Sequence, residues 1–88
     1  MRMRLNNEDF EFLKKNAEDV IPFINPETYF EDSISFLVSD YTNFMDELNF
    51  AIIENGMDDE DTVNEIGKKL YNIYDKILDQ KARNQNEN

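Results

Sequence analysis

The sequence predicts an all-α fold: a three-helix bundle built on a long antiparallel hairpin of the second and third helices, with a shorter N-terminal helix packed across it. Three observations predict it. Glycine and proline number two each, and three of these four residues sit where a helix should begin or end. Apolar residues recur at intervals of three and four. A single antiparallel register also pairs the apolar positions of the last two segments layer by layer.

The first helix is expected over residues 7–21. Asn6 or Asn7 caps it, and Glu8, Asp9 and Glu11 lie at the positive end of its dipole. Phe10, Leu13, Ala17, Val20 and Ile21 hold helical spacing, and Pro22 stops the helix. Asn25-Pro26 is a cap followed by proline at the first helical position, which opens a second helix over 26–55. Gly56 ends it in the left-handed conformation, and a kink is allowed near Asp32-Ser33, where side chains compete for backbone hydrogen bonds. The third helix, 59–80, is capped by Asp58, Asp59 or Asp61 and runs through Val63, Ile66, Leu70, Ile73 and Ile77. Residues 1–81 form one domain, and the polar tail 82–88 holds nothing to bury and is expected to be disordered.

Folding the chain back about Gly56-Met57-Asp58 pairs Ala51 with Val63, Leu48 with Ile66, Phe44 with Leu70, Tyr41 with Ile73 and Leu37 with Ile77. The same register predicts ion pairs of Glu47 with Lys69 and of Asp40 with Lys76. The other seam is apolar, with Val38, Met45 and Ile52 facing Gly67 and Tyr74, and with Tyr71 and Leu78 extending its wall. The first helix is expected to cover that seam through Phe10, Leu13, Ala17 and Val20, its backbone admitted by Gly67.

Composition narrows the function classes. The net charge is −11, and between Asn16 and Gly67 there is no lysine or arginine although fourteen of the twenty acids lie there. Such a field opposes direct binding to nucleic acid or anionic membrane, which carry the same sign. Eleven aromatics argue for a folded core. Cysteine and histidine are absent, which removes disulfides, thiolate metal sites, the usual general base and the usual metal ligand. The basic start leads into Asn6-Asn7-Glu8-Asp9 and not into an apolar core, so the chain is expected to be soluble, intracellular and cytoplasmic.

No enzyme is expected. Ser33, Ser35 and Ser39 have no base to activate them, and di-metal bundles need a histidine this chain lacks. Asp58-Asp59-Glu60-Asp61 fails the calcium-loop pattern, since the required glycine is replaced by Val63. No cofactor or metal site is expected.

The second helix is the candidate site. As a helix it would align Tyr29, Phe36 and Phe50, with Ile53, into an aromatic strip rimmed by Asp40, Asp46, Glu47 and Glu54, and followed by Asp58, Asp59, Glu60 and Asp61 at the hairpin tip. A bend of that helix, or a first helix wrapping further round, would instead bury the aromatics. The leading expectation is a small acidic protein that occupies a basic surface of another protein, a nuclease or other nucleic-acid-binding protein included, by imitating phosphate charge. Immunity proteins, antitoxins and phage-encoded inhibitors of host nucleases share this character as a class. The alternative is a structural or assembly module that homodimerises through the aromatic strip.

Overall fold

A computed structural model describes residues 1–56 and 63–86. It overturns the all-α bundle: three antiparallel strands form a sheet with helices packed on one face, an α+β fold. In chain order the elements are β1 (Arg2–Asn6), α1 (Asn7–Asn16), a 3-10 turn (Glu18–Phe23), β2 (Ile24–Tyr29), β3 (Ser33–Val38), α2 (Tyr41–Asn55) and α3 (Glu65–Asn86). The strand order is β1-β3-β2.

β1 alternates at period two, burying Met3 and Leu5 while Arg2 and Arg4 face out. β3, the central strand, turns Ile34, Phe36 and Val38 inward, but Ser33 and Ser35 are buried as well, so its burial does not alternate. The predicted 26–55 helix is thus two strands followed by a shorter helix. Ile34, Leu37 and Val38 fit helical spacing, but Ile34, Phe36 and Val38 fit a strand, and only the strand buries Phe36 with its neighbours. Pro26 sits on an edge strand beside a bulge at Glu27, both places where a missing donor is tolerated. The expected proline cap of a helix is therefore absent.

Asn6 does cap α1, accepting a hydrogen bond from the Asp9 backbone N–H at 2.6 Å. The helix ends at Asn16, five residues short of expectation. Pro22 cannot donate to the Glu18 carbonyl, and a tighter 3-10 turn carries Val20 into the core instead. α2 begins at Asp40, which adopts the left-handed conformation (φ 52°) and caps Asn43 through its side chain. Its end at Gly56 is where the sequence placed it, but Gly56 has φ −104° and is not left-handed.

Close approach is what requires glycine here. A Cβ on Gly56 would lie 2.5 Å from the Gly67 Cα, and one on Gly67 would lie 2.3 Å from the Gly56 carbonyl oxygen. Gly67 thus admits a neighbouring backbone, that of the α2 terminus and not of α1. Asn64 ties the same joint: its N–H donates to the Gly56 carbonyl at 2.8 Å, and its side chain accepts from the Gly67 N–H at 2.9 Å. Asn64 therefore opens α3, whose expected caps Asp58, Asp59 and Asp61 lie outside the described residues. At its other end α3 continues to Asn86, through much of the tail expected to be disordered, with an Arg83–Asp79 ion pair at 2.8 Å one turn apart.

The core unites both layers. Phe10 of α1 stacks on Phe36 at 5.3 Å between ring centroids, and Phe44, Leu48, Ile52, Leu70, Ile73 and Ile77 close it from α2 and α3. The predicted register does not hold. Tyr41 lies beneath Lys81, eight residues beyond its expected partner Ile73, because α2 starts after the sheet and the joint is at Gly56–Gly67.

Candidate functional site

α2 turns Phe44, Leu48, Ala51 and Ile52 inward, which leaves Asp46, Asn49, Phe50 and Ile53 on its outer side. Phe50 is 55% exposed and Ile53 50%. Asp46 and Glu54 are exposed, and Glu47 is half-buried at the edge of the same face. None of these three acids makes an ion pair among the described residues. The arrangement is an aromatic and aliphatic centre set in unpaired negative charge.

The cations expected to neutralise this face are engaged elsewhere. Lys69 pairs with Glu8 at 2.9 Å and Lys76 with Asp9, both on α1, so the predicted Glu47–Lys69 and Asp40–Lys76 pairs are absent. The reason is that α1 packs along the flank of α3 that carries Lys69 and Lys76. Asp40 has another task, capping α2, where it also accepts from the Asn43 side chain.

The structure brings together Asp46, Glu47, Phe50, Ile53 and Glu54 on α2 and separates the remaining candidates. Phe36 is fully buried in the central strand and does not belong to any binding face. Tyr29 is 74% exposed, but it stands on the edge strand β2 and not on α2. No continuous strip of Tyr29, Phe36, Phe50 and Ile53 exists. Asp58, Asp59, Glu60 and Asp61 lie outside the described residues.

The outer face of the sheet holds contacts that helical reasoning missed. Arg4 lays its guanidinium over the Phe30 ring at 4.1 Å and donates from Nε to the Ser33 hydroxyl at 2.9 Å, while Arg2 pairs with Glu27 at 2.7 Å. Alternation of Arg2 and Arg4 with Met3 and Leu5 was the available signal. At the foot of α2, the Tyr41 hydroxyl is buried without a hydrogen-bond partner among the described residues, and its pKa is raised by burial and then by the neighbouring Tyr74.

Among the described residues no group of three carboxylates is placed to hold a metal ion, and no described helix is long and apolar enough to cross a membrane. In comparisons with protein-family models, characterised proteins and solved structures, the chain matches none.

Proposed function

We propose that this protein is an acidic binding module that docks on a basic surface of another protein, such as a nucleic-acid-binding surface, through the outer face of α2. One observation carries the reading: Phe50 and Ile53 are half-exposed among Asp46, Glu47 and Glu54, and no cation of the described residues answers those acids. Apolar anchors within a charged rim are the usual anatomy of a protein interface. Complementary charge on the partner would speed association and make it salt-sensitive.

Self-association through this face is the weaker alternative. The strip that would have formed a homodimer has lost Phe36 to the core, and two copies of the face would oppose like charges. The deciding experiment measures affinity for a panel of basic nucleic-acid-binding proteins, nucleases included, with wild-type protein, Phe50→Ala and Glu47→Lys. A partner of this face should lose at least tenfold affinity with either variant while circular dichroism stays unchanged. Equal binding of all three in moderate salt defeats the proposal, and a tight dimer at low micromolar concentration would favour the alternative.

A further inference from the structure

The two flanks of α3 are not equivalent. At 100° per residue, Lys69, Lys76 and Gln80 share one flank. It is closed by α1 and β1: the lysines pair with Glu8 and Asp9, and the Gln80 amide bonds both the N–H and the carbonyl of Arg4, each at 2.8 Å, as a neighbouring strand would. Gly67, Tyr74 and Lys81 share the opposite flank and meet α2, at Gly56 and at the Tyr41 ring. Tyr71 and Leu78, seven residues apart and so nearly superposed along the axis, lie just outward of that flank, 39% and 42% exposed. On α2, Asn49 and Ile53 lie outward of buried Met45 and Ile52 in the same way.

The α2/α3 seam thus carries exposed Ile53 on its α2 side and exposed Tyr71 and Leu78 on its α3 side, an apolar line that would form the walls of a groove. Sequence periodicity assigned this seam to α1, but α1 packs on the far flank of α3. We infer that the groove takes a cationic amphipathic helix presented by the partner protein. A cleft between two antiparallel helices accepts a third helix, whose side chains fit between their ridges. Charge selects the occupant. Asp46 follows the α2 rim and Asp75 the α3 rim, and neither has an ion pair among the described residues. A second copy of this chain would set those carboxylates against their own kind, whereas lysines or arginines flanking an apolar stripe would meet them.

This inference rests on the reading of α2 as a docking helix and adds α3 to it. Its test titrates the isotope-labelled protein with an 18-residue lysine–leucine peptide whose leucines hold helical spacing, and with a scramble of the same composition that has no apolar face. Amide shifts should gather at Asn49, Ile53, Tyr71, Tyr74 and Leu78, and the scramble should bind at least tenfold more weakly. Leu78→Ala and Leu78→Glu, with unchanged circular dichroism, should each weaken the helical peptide at least fivefold. Equal binding of the scramble, or indifference to both Leu78 variants, overturns the groove. Shifts confined to the Phe50 side of α2 would overturn it while leaving the docking role of α2 standing, and shifts in neither helix would count against both.

Discussion

α1 and α2 are both acidic helices, and they use their acids in opposite ways. Glu8, Asp9 and Glu11 of α1 meet Lys69, Lys76 and Lys14, whereas Asp46, Glu47 and Glu54 of α2 meet no cation among the described residues. The difference teaches that acid counts do not separate charge that holds the fold from charge presented to solvent. Of the described acids in the base-free stretch, only Glu27 and Glu65 are in ion pairs, so the acids withdrawn from the open negative field are not the Asp40 and Glu47 that the hairpin register predicts. α1 is a structural helix, and α2 is half structural and half surface.

The largest effect expected from this contrast separates two phenylalanines that the sequence placed on one strip. Phe36→Ala removes a fully buried ring and its stacking on Phe10, and should cost about 3–5 kcal/mol. Phe50→Ala removes an outward ring and should shift stability by no more than about 0.5 kcal/mol. Urea unfolding of both variants checks this. Similar losses from the two would erase the distinction between the inner sheet and the outer face of α2.

A smaller effect compares the charges directly. Lys76→Met leaves the carboxylate of Asp9, which is itself buried, without its partner, and should cost about 1–3 kcal/mol, tempered because Lys76 is partly solvated. Glu47→Gln has no ion-pair partner to lose among the described residues and should stay within about 0.5 kcal/mol. If Glu47→Gln destabilises as much as Lys76→Met, the acids of α2 hold the fold together no less than those of α1. Thermal unfolding at low and moderate salt distinguishes them.

How much of this was legible can be followed residue by residue. Asn6 as one of two offered caps, the end of α2 at Gly56 and the buried line of Leu70, Ile73 and Ile77 were readable because each depends on local spacing, whereas the close approach at Gly67 was read with α1 as the neighbour and is made by the α2 terminus. Residues 24–38 were not, because Ile34, Leu37 and Val38 satisfy one period and Ile34, Phe36 and Val38 another. The warning was Phe36 itself, which a helix would have turned away from the core. The same error decided the site. Asp46, Glu47, Phe50, Ile53 and Glu54 fall on one surface because that segment is helical, whereas Tyr29 and Phe36 were aligned with them only by extending the helix across two strands. Which lysine meets which acid depends on where α1 packs, and nothing local to Lys69 or Lys76 encodes that.

The smallest expected effect probes the joint where α2 meets α3, at Tyr41. Its ring is held beneath the Lys81 ammonium at 4.1 Å, yet its hydroxyl is buried with no hydrogen-bond partner among the described residues. Tyr41→Phe keeps the ring and removes the orphaned group, so it should be neutral or stabilising, by up to about 1 kcal/mol. The sign of the pH dependence follows from burial, which raises the Tyr41 pKa in the folded state. The folded chain holds that proton more tightly than the unfolded chain, so the contribution is fully present below about pH 10, the ordinary tyrosine value, and is lost as pH rises through the folded pKa. Melting temperatures at pH 8 and pH 10.5 should therefore fall less in Tyr41→Phe than in wild type. An equal fall would mean that the hydroxyl finds water in solution, and that the α2 side of the α3 helix is as well solvated at its base as at its outer rim.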